Sequence, residues 1–306
     1  MQVLALFGPT AVGKTGVAIA IANLLRERGE DPVAVNCDSI QVYRGLETLS
    51  GAATAEERER LEHRLISFVE PGEEFSAGRY AEAAHPEIDS LLAEGRRPIV
   101  VGGTGLYLRA ALAELDLRPP VPPEIREEVE REITERGSET LHAELDPALA
   151  ESVDPSDRKR VARLTELARA GIEAAAGGEG VWTAELRRPT LLIGLTLDRA
   201  RLADRIDARV DAMVAAGAAE EARAAEEAGP SRTARAALGF QQFVSDIDAA
   251  PSAEAIDSIK AAHRAYARRQ LTWMRRMEGV TLIDRTDSSD EEVAAEVIDL
   301  LDRDEQ

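Results

Sequence analysis

The sequence predicts an α/β protein in which a parallel sheet is flanked by helices and interrupted by a helical insertion. Three observations carry that expectation. Short apolar runs alternate with helical stretches, a glycine-rich turn joins the first run to the first helix, and strand signals vanish between Arg118 and Arg188. With 306 residues, 44% of them hydrophobic, the chain can bury the core that such a sheet needs.

The elements follow in order. Val3 to Phe7 is an apolar run of strand length, and the helix from Lys14 to Arg28 is stopped by Gly29. A second run, Val33 to Cys37, leads into Asp38. An amphipathic helix around Tyr80 to Glu94 precedes a third run, Pro98 to Val101. Leu191 to Leu197 and Val280 to Ile283 are the fourth and fifth, and an acidic helix follows Asp287. Runs of this kind belong to a parallel sheet covered on both faces. The intervening stretch opens on Pro119, Pro120, Pro122 and Pro123, continues as charged helical segments, and closes in Gly177-Gly178-Glu179-Gly180. The expected division is therefore a core of residues 1–117 and 189–306 with an insertion of 118–188.

Composition narrows the function. A formal net charge of −20 opposes a polyanionic partner unless cations gather locally. Only three lysines occur (Lys14, Lys159, Lys260), so arginine supplies nearly all positive charge. The single cysteine, Cys37, excludes an internal disulfide and a cysteine-based zinc site, and the four histidines share no ligand spacing. Val3 to Phe7 is too short for a signal peptide or membrane span. The chain is expected in the cytoplasm, away from membranes, as a monomer.

Gly8-Pro9-Thr10-Ala11-Val12-Gly13-Lys14-Thr15 matches G-x-x-x-x-G-K-[ST] in full, between a strand and a helix, and predicts a P-loop NTPase-like core. Consecutive backbone N–H groups and the helix N-terminus cradle phosphates there. Lys14 reaches terminal phosphate oxygens, and the Thr15 hydroxyl is placed for Mg²⁺. Asp38-Ser39-Ile40-Gln41-Val42-Tyr43 follows the second strand; its aspartate either faces the same crevice or caps the next helix. Gly102-Gly103-Thr104-Gly105-Leu106-Tyr107 repeats the arrangement on the third strand, with a hydroxyl at the rim.

Two arginine groups stand out. Arg205 and Arg209 lie four apart on one helix, as clamps for an anion or as surface partners of Asp204, Asp207 or Asp211. From His263 to Arg276, Arg264, Arg268 and Arg275 share a side flanked by Arg269 and Arg276, with Tyr266, Trp273 and Met277 opposite. That pattern fits either an RNA-binding face or a core helix with a solvated basic side. Arg158-Lys159-Arg160 with Arg163, and Arg126, are further basic sites on the insertion.

The three strand-end motifs together resemble the tRNA dimethylallyltransferase family. So do Asp157-x-x-Arg160-Val161-x-Arg163, Leu202-x-x-Arg205-Ile206-x-x-Arg209-Val210-x-x-Met213, and Arg269-Gln270-Leu271-Thr272-Trp273. The resemblance implies transfer of a dimethylallyl group from its diphosphate to N6 of the adenosine on the 3′ side of the anticodon, in tRNAs reading codons that begin with U. It implies tRNA contacts from Asp38, Ser39, Ile40, Gln41, Thr104, Arg126, Asp157 to Val161, Arg163, Gly239, Phe240, Arg268, Arg269, Gln270, Trp273 and Arg275. The chain departs from the family pattern at Leu49 to Ala53, where a lysine and a proline are lost, at Leu164-Thr165, and at Phe240, which replaces a tyrosine.

These residues suit that chemistry. The departing diphosphate gathers charge, which Lys14, the loop amides, Mg²⁺ at Thr15 and Arg205 or Arg209 can stabilise. Asp38 can accept the N6 proton, which becomes acidic as carbon–nitrogen bonding proceeds, with Thr104 across the crevice. An ATP-dependent kinase, a prenyltransferase of free adenine nucleotides and a non-catalytic phosphate-binding module are the competing readings.

Overall fold

Residues 1–115, 121–173, 185–245 and 250–305 are described in the structure, a computed structural model. Arg118, Pro119, Pro120 and the Gly177 to Gly180 run, which mark the expected hinges, lie outside them. The chain divides into two compact units, Met1–Glu114 with Ala184–Gln306, and Leu115–Thr183.

The first unit holds a six-stranded, wholly parallel sheet. Its strands are β1 (Val3–Phe7), β2 (Pro32–Asn36), β3 (His63–Arg64), β4 (Arg97–Gly102), β5 (Thr190–Thr196) and β6 (Thr281–Asp284), in the order β3-β2-β4-β1-β5-β6. Leu4 of β1 lies opposite Ile99 on one flank and Leu191 on the other. β1 and β2 are buried along their full length, which is why they read as unbroken apolar runs. The sequence pattern foresees five of these strands and misses β3. That strand is two polar residues at the sheet edge, with no apolar run to announce it; short polar edges of this kind discourage further pairing.

Helices cover the sheet. They are α1 (Lys14–Glu27), α2 (Glu47–Ser50), α3 (Ala55–Arg60), α4 (Ala77–Ala93) and α5 (Gly105–Leu112) before the insertion. Within it lie α6 (Pro123–Arg136), α7 (Ser138–Ala143), α8 (Pro147–Ala150) and α9 (Arg158–Arg169). After it come α10 (Arg199–Ala215), α11 (Ala218–Glu227), α12 (Phe240–Val244), α13 (Ala253–Met274) and α14 (Asp290–Asp304). Helix α1 buries six consecutive residues, Val17 to Ala22, because the sheet covers one side and α14 the other. α14 begins at a capping box, Ser289 with Glu292, which fixes where the acidic tail turns helical.

The described residues of the second unit contain helices and no strand, around a small core of Val129, Ile133, Leu141, Val153, Val161 and Ala162. Among the described residues of the whole chain, no helix is long and apolar enough to cross a membrane.

The sheet order decides where the motifs meet. β4 lies between β1 and β2, so the loops leaving β2, β4 and β1 emerge side by side at one carboxyl edge. Removing bulk beneath that edge should loosen it. Replacing Ile19 with Ala, at a fully covered position of α1, is expected to lower stability by about 2–5 kcal/mol, read as a lower urea midpoint with unchanged slope.

Candidate active site

The loop leaving β1 is shaped by its own backbone. Ala11 adopts φ 62° and Gly13 φ 100°, both left-handed, and Val12 between them is buried in the core below. A non-glycine residue in that region costs about 1–2 kcal/mol, so surrounding contacts must hold Ala11 there. A side chain at Gly13 would also meet Arg285 Nη1 at 2.2 Å. Helix α1 starts at Lys14 with no side-chain cap, leaving its first N–H groups facing outward as an anion site.

Lys14 folds back over this loop. Its Nζ donates to the carbonyls of Gly8 and Pro9, each at 3.0 Å. Burial, with the Arg209 guanidinium beside it, lowers its pKa to about 8, although Asp38 pulls the other way. Lys14, Arg209 and Asp38 therefore share one electrostatic neighbourhood.

Asp38 is positioned from below and from the side. Asn36, buried at the end of β2, donates to Leu65 O at 2.9 Å and accepts from Asp38 N at 3.3 Å. One carboxylate oxygen of Asp38 accepts from Ile40 N (3.0 Å) and Gln41 N (3.4 Å), the turn-capping geometry the sequence allowed. The other faces the Thr104 hydroxyl at 3.5 Å. Asp38 therefore caps a turn and not the next helix, which begins only at Glu47, while its second oxygen faces Thr104. Thr104 also lies 3.5 Å from Ser39 Oγ and 3.3 Å from the Tyr266 hydroxyl.

The two arginines of α10 part company. Arg209 enters the cleft and donates to Gly51 O at 2.9 Å; a Cβ on Gly51 would lie 1.8 Å from its Nη2. The segment that departs from the family pattern is therefore the one over which Arg209 lies. Arg205 is exposed and stands beside Gly13 next to Arg285. Asp207 and Asp211 pair with Arg264 and Lys260 of α13, rather than with the two candidate clamps.

On α13 the buried stripe is Ile259, His263, Ala267, Gln270 and Met274. Arg268, Arg269, Arg275 and Arg276 are exposed, and Arg269 lies over the Tyr266 ring, 5.5 Å from its centroid. Trp273 meets the same ring edge-on at 6.5 Å. Burial, and then the charge of Arg209, lowers the His263 pKa to about 4, so this imidazole is neutral near pH 7. In the second unit, Lys159 and Arg160 are exposed, while Arg158 bonds Glu130 and Thr134, and Arg163 bonds Glu166. Arg126 is half-buried.

Several residues read as RNA-facing are placed otherwise. Val161 and Phe240 are fully buried core side chains, and Asp157 caps α9 by accepting from Arg160 N. Gly239 forms the left-handed start of α12. Gln270 is 1% exposed and sits inside the cleft wall. A linear motif does not separate residues that touch a ligand from those that hold the motif in shape. Conversely, Tyr266 and Arg285 belong to the site and escaped the sequence reading. Tyr266 looked like a packing aromatic, and its seven-residue spacing from Trp273 was the one available signal. Nothing local marked Arg285, which reaches Gly13 O at 3.2 Å from the far end of the chain.

Comparison with known proteins gives the family. The IPP transferase family (IPPT) matches residues 41–277. The tRNA dimethylallyltransferase of Anaeromyxobacter dehalogenans strain 2CP-C is 42% identical over 288 residues, covering 92% of this chain and 95% of its own. This chain belongs to the IPP transferase family. The family relative from Thermobifida fusca, also a tRNA dimethylallyltransferase, is 39% identical, covering 90% of this chain and 87% of its own. Among solved structures, the full-length tRNA isopentenylpyrophosphate transferase of Bacillus halodurans superposes with a TM-score of 0.72 at 32% identity, covering 99% of this chain and 96% of its own. A eukaryotic dimethylallyltransferase acting on tRNA shares the fold, with a TM-score of 0.75 at 23% identity, covering 98% of this chain and 79% of its own.

The lowered Lys14 pKa has a signed consequence for this IPP transferase. Lys14 is a cation below about pH 8 and loses its charge above it. Pyrophosphate affinity of the wild type should therefore fall relative to Lys14→Arg as pH rises through 8, by up to about tenfold per pH unit. Calorimetric titration of both proteins across that range checks it.

Proposed function

We propose that this IPP transferase is a tRNA dimethylallyltransferase. It passes the dimethylallyl group from dimethylallyl diphosphate to N6 of the adenosine 3′ to the anticodon, in tRNAs reading codons that begin with U. Diphosphate is released. The reaction takes place in the cytoplasm, where the acceptor is found. The observation that carries this reading is the placement of a phosphate loop and a carboxylate–hydroxyl pair, Asp38 with Thr104, at adjoining strand ends.

The donor's diphosphate rests in the loop from Gly8 to Thr15, held by the unpaired N–H groups at the start of α1 and by Lys14. As the allylic C–O bond loosens, negative charge grows on the leaving oxygens. Lys14 and Arg209, which share the cleft, supply the positive charge that stabilises it, Lys14 by turning from the Gly8 and Pro9 carbonyls. The adenine amine attacks the allylic carbon, the new C–N bond forms, and Asp38 takes the N6 proton through the oxygen that faces Thr104. Thr104 holds that carboxylate oxygen and the amine in register.

The protein oxygen of the loop suited to a divalent cation is the Thr15 hydroxyl. Among the described residues no group of three or more His, Cys, Asp or Glu is placed to hold a metal. That sparse set of hard donors fits Mg²⁺, which keeps several waters and takes its remaining ligands from substrate phosphates. Mg²⁺, when bound, adds to the neutralisation of the leaving diphosphate.

The acceptor base must leave its stack, which costs a few kcal/mol and least in a single-stranded loop. The exposed arginines of α13 (Arg268, Arg269, Arg275) suit a phosphate backbone, and Tyr266 with Trp273 offers an aromatic wall at the cleft. Lys159 and Arg160 form a second basic point on the other unit. A net charge of −20 is compatible with RNA binding because the cations are concentrated on such faces.

Incubation with unmodified tRNA, Mg²⁺ and dimethylallyl diphosphate, followed by digestion and mass analysis, should yield isopentenyladenosine. ATP in place of the prenyl donor should yield no phosphorylated product; a phosphorylated one would favour the kinase reading. Asp38→Asn should retain diphosphate binding and lose at least about 100-fold in single-turnover rate. Arg268→Ala with Arg269→Ala should weaken tRNA binding and reduce its salt slope by about 2.

A further inference from the structure

Helix α13 presents exposed arginines on one side and, on the other, a glutamine whose carboxamide has no access to solvent. Gln270 Oε1 accepts from Thr10 N in the phosphate loop at 2.9 Å. Its Nε2 donates to Gly103 O, beside Thr104, at 2.7 Å. The orientation of the amide is fixed by its partners, since a backbone N–H must face the oxygen and a carbonyl must face the nitrogen.

The position of this bridge matters. β1 and β4 are laddered together only as far as Phe7 opposite Gly102. Beyond that rung the two loops diverge, one to grip phosphate and one to carry Thr104. A carboxamide offers the same donor and acceptor as a peptide group, and Gln270 inserts between the loops as one further rung. Space has been cleared for it, because a Cβ on Gly103 would lie 2.3 Å from Nε2. One turn earlier on α13, Tyr266 meets the Thr104 hydroxyl. The Thr10 N–H is thereby committed to the bridge, as the Val12 N–H is to Pro9 O, so the amides at the start of α1 are the ones left for a diphosphate.

We infer that Gln270 is a positioning residue: it sets the phosphate loop against the Thr104 edge, and so the span between leaving diphosphate and proton acceptor, rather than contacting RNA. This rests on the transferase reading given above. Gln270→Glu keeps acceptance from Thr10 N but cannot donate to Gly103 O, and it places negative charge behind the phosphate loop. Gln270→Met keeps the volume and neither bond.

The test separates donor binding from RNA binding. Affinity for inorganic pyrophosphate with Mg²⁺ is measured by calorimetry without RNA, tRNA affinity by filter binding, and single-turnover prenylation at saturating substrates. Both variants are expected to bind pyrophosphate about tenfold more weakly, the scale of one or two lost hydrogen bonds. Their single-turnover rate should fall by about 100-fold, as small misplacements of reacting groups do, with tRNA affinity and its salt slope unchanged. Unchanged pyrophosphate affinity and rate with weakened tRNA binding would overturn the inference and make Gln270 an RNA contact. Should Gln270→Met fail to fold, Gly103→Ala decides, since its methyl displaces the amide while Gln270 remains. The same pattern there supports the bridge, and wild-type pyrophosphate affinity refutes it. A wild-type protein that binds no pyrophosphate would sink the transferase reading itself, and the bridge's role with it.

Discussion

Strand β1 has no solvent-facing side. Its five residues are buried, with β4 on one flank and β5 on the other, and the chain leaving it must turn at once to begin a helix whose middle, Val17 to Ala22, is buried too. A backbone released from a ladder at a buried edge carries N–H groups that have lost their partners, and such groups are costly to leave unpaired. The loop from Gly8 to Thr15 resolves part of this internally, Val12 N donating to Pro9 O and Thr10 N to Gln270, with Ala11 and Gly13 held in left-handed conformations before α1 begins. The proposed diphosphate site is thus a consequence of how β1 ends. Every other element of the cleft is placed relative to it.

Cations gather around that point despite mutual repulsion. After burial itself, Arg209 disfavours the charged form of Lys14, and Arg285 disfavours that of Arg205. Asp38 favours the charged forms of both Lys14 and Arg209, Glu57 adds to it at Arg209, and Asp290 pairs with Arg285. A group of cations such as this, in a body of net charge −20, suits an anionic ligand.

The three strand-end motifs and five of the six strands were legible because each depends on local rules. An apolar run of strand length, a glycine at a positive φ and a lysine at the head of a helix are all written in consecutive residues. What escaped was either too short or too distant. β3 has two polar residues and no periodicity. Arg285 meets Gly13 across 272 positions and Gln270 meets Thr10 across 260. Val161, Phe240 and Gln270 sit within motifs that read as RNA-facing, yet helical periodicity turned their side chains inward.

By itself the sequence determined that this chain builds a parallel sheet, that a phosphate loop opens its first helix, and that an aspartate and a threonine follow two other strands. Only the tertiary structure decided that these meet, because β4 takes its place between β1 and β2 and brings their carboxyl ends into one row. It alone separated Arg209 from Arg205, and a buried carboxamide from the exposed arginines beside it. Local propensity acts over a few residues, whereas the identity of a side chain's neighbours is set by strand order and helix packing, which no short stretch of chain encodes.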